Sequence, residues 1–466
     1  MIHGSGQAAR PPGRKEGGIM ARKDKDSLMA AVLSGFKSAG IKDADESVTT
    51  IANYWEDMKW IDVYDPVKNR PCIAMEWILG ARGFPAGKVI QLRGSFSSSK
   101  STFLYYVYGC AMRGSTMDDR KAWIAHIETE GAPNSADYIA RFGCDPRLFL
   151  HIKTNDLNDM FRRIDTFDMA LHGGRDGTVN PETGRMVKSR FSREDALDPD
   201  MTKPTIIGID SLSNVGSDAG EDFVDLDKSE RPGGDSKDVR RFFRAREQDY
   251  DRHQVTLFVT THETTEIKTG PGAGYGGPKS TARNQKALGM ALTIALDTLD
   301  VEWKGGKDGK EVIGSRQYLK TFKSKIAPKN RKVTLFRRLL GGYDMAETDL
   351  QFFMGDPKNN NCAENPFLPG GFLCPEGAKC GIAKVRGGYS APMVSDKVFR
   401  DADEFVEALY SDGDLLRRIR EHLRIRGFGF DFETRYSIPR DEGRGEAGSP
   451  DGDGPAPGDD GPAEEA

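Results

Sequence analysis

The sequence predicts an α/β fold built on a mostly parallel sheet. Between residues 122 and 263, apolar strand segments alternate with amphipathic helical segments. Strands separated by helices pair in parallel, because the connection crosses one face of the sheet. In the segment 88–114, an apolar strand leads through a loop rich in glycine and serine directly into a helix. The segment 204–212 is strongly apolar and contains a carboxylate near its end.

Each element follows from its own pattern, taken in chain order. Amphipathic helices are expected at 24–40, where Gly40 ends the pattern, and at about 46–58. Runs of apolar residues predict strands, which occupy 88–94, 122–130, 147–153, 204–212 and 255–263. Apolar residues at helical spacing predict helices, which occupy 101–114, 135–143, 157–174 and 236–254.

The composition of the 466 residues favours a globular chain with some polar segments. Hydrophobic residues make up 37% and charged residues 30%, and no apolar run reaches the ~18 residues of a membrane span. The first residues lack the apolar centre of a signal peptide, and the six cysteines are spread out, so a cytoplasmic location is expected. Cys362, Cys374 and Cys380 lack the closely spaced pair of a zinc site, which favours a loop-rich insertion.

The charge is distributed unevenly along the chain. Residues 441–466 contain nine acidic residues and one basic residue, a net charge of -8 against -4 for the whole chain. The rest therefore carries about +4, which suits a protein that binds nucleic acid. The acidic tail is also rich in glycine and proline, so we expect it to be disordered.

A phosphate site is predicted where the first strand of the core meets its helix. Backbone N–H groups of such a loop and the helix N-terminus face phosphate oxygens. The residues expected to bind the nucleotide are Gly94, Ser95, Phe96, Ser97, Ser98, Ser99, Lys100, Ser101 and Thr102. Lys100 is expected to contact the β- and γ-phosphates of ATP, and the Ser101 hydroxyl to ligate Mg²⁺. The alternative is an ordinary loop before a helix, and Ser99 stands where glycine is usual.

Asp210 supplies the second half of this site. It ends the apolar strand PTIIGID, and a carboxylate at that edge of a parallel sheet lies beside the phosphates and Mg²⁺. Glu130 ends the strand AWIAHIETE, where a carboxylate can hold a water in line with the γ-phosphate. Glu128 lies two residues earlier, and the pattern alone does not choose between the two.

With these segments together, the sequence resembles the bacterial RecA family, and its phage members more than its cellular ones. The resemblance rests on MEWILGARGFPAGKVIQLRG, HIETEGAPNSADYIARFGCDP, THETTEIKTG and FKSKIAPKNRKVTLF, in the family's order, and covers roughly residues 70–340. It implies a RecA-type P-loop NTPase core with a small N-terminal helical segment and a smaller C-terminal α+β domain.

The resemblance also implies roles for single residues. It makes Glu130 the general base and Tyr138 the residue that stacks on adenine. His262 and Glu263 stand at the switch that senses the nucleotide, where cellular members have Asn-Gln. Lys323 and Lys325 resemble the lysine pair that reaches the nucleotide of a neighbouring subunit.

A loop at 264–284 is the expected DNA contact. It carries seven glycines or prolines, and its spaced cations and aromatic ring can follow a phosphate backbone and stack on a base. The DNA-binding candidates are Lys268, Tyr275, Lys279 and Arg283. A plain surface loop is the alternative. The acidic loop at 215–235 stands where the family has its first DNA-binding loop.

The sequence therefore predicts a recombinase that hydrolyses ATP and forms a helical filament on DNA. Its expected partners are single-stranded and duplex DNA, further copies of the chain, and single-strand-binding and loader proteins, in a host cytoplasm if the gene is a phage gene. The alternatives are a hexameric RecA-fold helicase, an annealing-type ATPase, or a DNA-binding scaffold that binds ATP without turnover.

We expect five segments along the chain. They are a disordered leader at 1–23, a helical polymerisation segment at 24–70, the ATPase core at 71–345, a C-terminal domain at 346–436 and the acidic tail at 437–466.

Overall fold

A computed structural model describes most of the chain between residues 58 and 427. The described residues are 34, 38, 54, 58–131, 133–173, 178–179, 186–187, 194–216, 234–266, 279–282, 285–305, 308, 310–355, 365–367, 373 and 381–427. All of them belong to one compact unit, Met1–Phe428.

Strands and helices alternate through the first half of this unit. The strands are β1 (Trp60–Asp62), β2 (Tyr64–Asp65), β3 (Arg70–Pro71), β4 (Gly83–Pro85), β5 (Val89–Gly94), β6 (Trp123–Glu128), β7 (Leu150–Lys153), β8 (Thr178–Val179), β9 (Met186–Val187), β10 (Thr205–Asp210), β11 (Val255–Glu266), β12 (Lys279–Ala282), β13 (Leu292–Gly305), β14 (Glu311–Ser324), β15 (Lys332–Arg338), β16 (Tyr343–Asp344), β17 (Ala383–Val385), β18 (Gly388–Ala391) and β19 (Ser395–Phe399).

The α-helices are shorter and connect these strands. They are α1 (Ile73–Leu79), α2 (Lys100–Ala111), α3 (Ala136–Ala140), α4 (Leu157–His172), α5 (Gly234–His253), α6 (Gln285–Leu288), α7 (Met345–Met354), α8 (Ala402–Ser411) and α9 (Gly413–His422). None of the helices in the described part of the chain is long and apolar enough to cross a membrane.

The central sheet has ten strands and confirms the predicted α/β class. Its order is β16-β15-β14-β13-β5-β11-β10-β6-β7, with β12 paired to β11. In this spatial order, the neighbouring strands β13, β5, β11, β10, β6 and β7 pair in parallel. The strands β13, β14, β15 and β16 pair antiparallel. The sheet is therefore parallel at its centre and along one side, and antiparallel along the other.

Alternate residues of the central strands bury opposite faces of this sheet. On β10, Ile206 belongs to the hydrophobic cluster that contains α1 and α2, while Ile207 belongs to the cluster that contains α4 and α5. This is the two-residue period of a strand covered on both faces. Each buried aromatic or aliphatic side chain stabilises the fold by about 1.5–3 kcal/mol, and the two clusters hold the carboxyl ends of β5, β6, β10 and β11 at one edge.

The helices after β16 pack onto α1 and share its core. Trp77 of α1 lies against Phe352 of α7, with ring centroids 5.1 Å apart. Arg420 of α9 makes two hydrogen bonds of 2.8 Å to the carboxylate of Glu76, which is 2% exposed. The described residues beyond 345 therefore stabilise the same core that carries the first strands.

Three details differ from the elements expected from the sequence. The strand expected at 255–263 continues to Glu266 and pairs with β12, so residues 264–266 and 279–282 of the expected loop are strand. The β-branched Thr264 and Thr265 favour this extension. Short strands, and not helix, occupy the described stretch 60–71. The long antiparallel pair β13 and β14 is not among the expected elements.

Candidate functional site

The loop between β5 and α2 is bent by two serines in left-handed backbone conformation. Ser97 has φ 59° and Ser99 has φ 61°, a region in which glycine is favoured because it has no Cβ. Gly94, the last residue of β5, lies so close to the Thr298 carbonyl of β13 that a Cβ would overlap with it. The loop is thus packed tightly against the neighbouring strand.

Side chains of β13 and β14 hold this loop in place. Thr298 donates to the Ser98 carbonyl at 2.9 Å, and Gln317 donates to the carbonyls of Ser98 and Ser99 at 3.2 and 3.1 Å. The Ser99 hydroxyl donates to Asp300. These bonds fix the loop from the side and leave its amide groups at the N-terminus of α2.

Lys100 is the first residue of α2, and its ammonium lies inside the loop. Its Nζ donates to the Ser95 carbonyl at 2.7 Å and the Gly94 carbonyl at 3.3 Å, and lies 3.3 Å from His262 Nδ1. Lys100 is 5% exposed, and burial lowers its pKa below the usual value. Within the described residues its hydrogen-bond partners are all uncharged groups or an imidazole, so the site fits an anion.

His262 connects this lysine to Glu130. His262 Nε2 lies 2.6 Å from Glu130 Oε1, while its other ring nitrogen faces Lys100. The ring stacks on Phe96 of the loop at 4.1 Å between centroids, and its backbone amide donates to Ser213 Oγ at 2.8 Å. The structure thus brings together three of the predicted residues, although they are far apart in sequence.

Asp210 and Glu128 lie at the ends of β10 and β6, which are neighbours in the sheet. Asp210 is 4% exposed and accepts from the Thr260 hydroxyl at 2.6 Å. Glu128 accepts from the Glu130 amide at 2.7 Å. Burial would raise the pKa of Glu128, but the His126 imidazole and this amide outweigh burial and hold the pKa below its usual value.

These two carboxylates form a cluster with His126. The ligand atoms of His126, Glu128 and Asp210 lie within 4.8 Å of one another. Sequence reasoning placed Ser101 and Asp210 as metal ligands and did not use His126, although His126 and Glu128 are two residues apart on one strand and face the same side.

Tyr138 lies on the α2 side of the loop. Its hydroxyl is 2.8 Å from Thr102 Oγ1 and accepts from Arg337 at 2.8 Å. Arg337 also forms an ion pair with Asp300 at 3.0 Å. Tyr138 is therefore near the expected nucleotide, while Arg337 and Asp300 are site residues that sequence reasoning missed. The sequence signal for Asp300 is its position two residues after Thr298, which places both residues on the same face of β13.

Glu263 binds Arg93. Its carboxylate lies 3.0 Å from Arg93 Nε, and Arg93 also contacts Asp297 at 2.7 Å. Of the two expected switch residues, His262 therefore contacts the loop lysine, and Glu263 belongs to an ion-pair group on β5, β11 and β13.

Lys323 and Lys325 lie at the opposite end of the sheet from the loop. Lys323 pairs with Ala295, and the Lys325 amide donates to the Thr293 carbonyl, beside the first residues of β5. Because β5 rises about 3.3 Å per residue, its start and its loop end are roughly 16 Å apart. The pair is thus not brought to Lys100 of the same chain.

Several predicted residues lie outside the described residues. They are Lys268, Tyr275 and Arg283 of the expected DNA loop, and the cysteines Cys362, Cys374 and Cys380. Of the acidic loop at 215–235, residues 217–233 lie outside them as well. Lys279 is the first residue of β12.

Comparison with known proteins finds similarity to bacterial RecA proteins. No family model matches the chain. The chain is 25% identical to Protein RecA of Nocardioides sp. over 261 residues, which are 55% of this chain and 60% of that protein. It is 26% identical to Protein RecA of Frankia casuarinae and 24% identical to that of Kineococcus radiotolerans over 274 residues, in both cases 57% of this chain and 64% of the relative. The chain spans less than two thirds of these relatives, and over that part it is RecA-like.

Proposed function

We propose that this chain is an ATP-dependent recombination protein that forms filaments on single-stranded DNA and promotes pairing and strand exchange with duplex DNA. The observation that carries the proposal is the run of contacts from Lys100 through His262 to Glu130. It lies where a helix N-terminus meets the carboxyl ends of parallel strands. A cation for phosphates and a carboxylate for a water are what nucleotide hydrolysis needs, and the similarity to RecA supports the DNA part.

The loop and its surroundings have a role for each part of a magnesium nucleotide. Residues 94–102 hold the phosphates of ATP, with Lys100 between the β- and γ-phosphates. Ser101 and Asp210 hold Mg²⁺, which when bound neutralises charge on the phosphates. Tyr138 provides a ring for the adenine. The buried ammonium of Lys100, whose described partners are uncharged or imidazole, supports this assignment.

Glu130 is the general base in this proposal. Its carboxylate orients a water toward the γ-phosphate and accepts the proton that the water loses. His262 holds that carboxylate through the bond of 2.6 Å and contacts Lys100 through its second nitrogen. If Lys100 moves toward a phosphate, its contact with the His262 ring changes, and the same ring contacts Glu130. His262 would thereby transmit the presence of the nucleotide to Glu130.

Lys323 and Lys325 act on the nucleotide of the neighbouring subunit. Their place at the other end of the sheet supports this, because one subunit cannot bring both ends to one phosphate. Two cations beside the γ-phosphate would stabilise the charge that develops there in the transition state. Assembly would then complete the site.

The DNA contacts and further partners are also proposals. Lys268, Tyr275, Lys279 and Arg283 contact the DNA backbone and bases, and single-strand-binding and loader proteins assist assembly in the cytoplasm. A relation to phage-type members is also part of the proposal, and Ser99 supports it, because some of those members have a residue other than glycine at that position.

ATP hydrolysis with and without single-stranded DNA tests the proposal. We predict that DNA stimulates turnover, that Lys100→Ala weakens ATP binding, and that Glu130→Gln retains binding but lowers turnover at least about 100-fold. Glu263→Gln is the matched control, because Glu263 pairs with Arg93 and not with His262, and should retain turnover. Equal loss of ATP binding in Lys100→Ala and Glu130→Gln would refute the assigned roles.

Electron microscopy tests the assembly. With single-stranded DNA and a slowly hydrolysed ATP analogue, a recombinase forms helical filaments. Closed rings would support the helicase alternative. If neither filaments nor rings form, the alternative of a nucleotide-binding scaffold remains.

A further inference from the structure

A buried histidine faces the carboxylates beside the proposed nucleotide site. His126 is 0% exposed, and Glu128 and Asp210 are 6% and 4% exposed. Within the described residues, His126 Nε2 has no hydrogen-bond partner, and its nearest acceptor in the cluster, Glu128 Oε2, is 3.6 Å away. A buried polar atom without a partner costs free energy, so this nitrogen is placed for a ligand.

The rest of the imidazole is fixed by its surroundings. Its Nδ1 lies 3.0 Å from the Tyr108 hydroxyl, and that hydroxyl occupies the space above Gly208, where a Cβ would overlap with it. The ring also packs against Tyr105, with centroids 5.7 Å apart. Imidazoles that bind metals commonly have such a partner on the second nitrogen, which orients the ring.

The carboxylates are held in the same way. One oxygen of Glu128 accepts the Glu130 amide, and one oxygen of Asp210 accepts the Thr260 hydroxyl. The three ligand atoms lie within 4.8 Å of one another. Ligands about 2.0–2.2 Å from one ion are up to about 4.4 Å apart, so shifts of a few tenths of an ångström would close the set around a cation.

We propose that His126, Glu128 and Asp210 bind a divalent transition-metal ion, distinct from the magnesium that accompanies ATP. One imidazole nitrogen and two carboxylates suit Mn²⁺ and the later first-row ions, whereas Mg²⁺ prefers oxygen ligands alone. Asp210 is shared with the proposed magnesium site. The proposal does not depend on ATP turnover, because the three side chains are positioned by protein contacts only.

Mn²⁺ binding to the full-length, untagged chain without nucleotide tests the site. Electron paramagnetic resonance should show one Mn²⁺ bound per chain, with coupling to one imidazole nitrogen. His126→Phe keeps an aromatic ring but removes the ligand, so it should weaken binding at least about tenfold and abolish the coupling. A roughly tenfold excess of Mg²⁺ should not displace the ion.

Two further variants identify the coupled nitrogen by excluding other histidines. They keep the test informative if His126→Phe does not fold. His151→Phe changes the neighbouring histidine on β7, whose ring lies 6.0 Å from that of His126, and His262→Phe changes the histidine beside Glu130. Both should retain Mn²⁺ and the nitrogen coupling. Lys100→Ala should also retain them even if it loses ATP, which separates this site from the proposed function. Bound Mn²⁺ without nitrogen coupling, no bound Mn²⁺, or unchanged binding in folded His126→Phe would overturn the proposal.

Discussion

Ser99 combines a strained backbone with a bond to a charged group. Its left-handed conformation, φ 61° and ψ 31°, costs a residue with a Cβ roughly 1–2 kcal/mol. Its hydroxyl donates to the Asp300 carboxylate, and a bond to a charged group contributes about 1.5–3 kcal/mol. The side chain therefore offsets the strain that a glycine would avoid.

Two substitutions separate these effects. Ser99→Ala loses the bond and keeps the strain, so we predict about 2 kcal/mol lower free energy of unfolding. Ser99→Gly loses the same bond but relieves the strain, so it should be about 1 kcal/mol more stable than Ser99→Ala. Urea unfolding measures both. Equal stability of the two variants would show that the backbone at Ser99 is not strained.

Some site residues could be predicted from local sequence and others could not. Lys100 and Asp210 are each fixed by their own strand and loop, so short segments identify them. The choice between Glu128 and Glu130 depends on where β6 ends. The strand β6 ends at Glu128, so Glu130 lies beyond the strand, where its carboxylate contacts His262. Arg337 reaches the site only because β15 lies two strands from β13, an order that no local pattern contains.

At the scale of elements, α7 and α1 are joined by one buried carboxyl. Asp349 of α7 is 0% exposed and accepts from the Ala74 amide at 2.8 Å and the Tyr410 hydroxyl at 2.9 Å. Burial raises its pKa from 3.8 to about 7. The folded chain therefore retains a proton here at a pH at which the unfolded chain has lost it.

This difference predicts a pH dependence of stability. The contribution of Asp349 is complete below pH 3.8 and is lost as the pH rises to about 7, with a slope of at most ~1.4 kcal/mol per pH unit. Asp349→Asn is neutral at every pH, so its stability relative to the original chain should rise between pH 5 and pH 7 and then level off. Urea unfolding at several pH values checks this, and a constant difference would contradict it.

The elements themselves were predicted unevenly. Buried parallel strands such as β10 and β11 are continuous apolar runs and stand out in the sequence. In β14, buried and half-exposed residues follow no simple alternation, so its pattern indicates no clear strand. Its place is set by pairing with β13 over twelve residue pairs that include two register shifts.

At the scale of the whole molecule, the trans role of Lys323 and Lys325 can be tested by mixing. The double variant Lys323→Ala/Lys325→Ala should bind ATP but neither hydrolyse it nor form the ATP-state filament. Lys100→Ala should not hydrolyse it either. In a mixture, some interfaces join an intact loop from the first protein to intact lysines of the second. About a quarter of random head-to-tail interfaces do so, and DNA-stimulated ATPase should return to that level.

Co-assembly must be measured in the same mixture, for example with a fluorescent label on each variant. A mixture that co-assembles on DNA and stays inactive would exclude the trans role. Activity of the double variant alone would exclude it as well.

The positions of the loop and the lysine pair at opposite ends of one sheet have a numerical consequence under this proposal. An open row of subunits has one fewer completed site than it has chains, because the loop at one terminus has no lysines facing it. A closed ring has as many sites as chains. Turnover per chain should therefore increase with the length of the row, steeply for short rows and hardly at all for long ones. Every break in a row leaves one more subunit without a completed site.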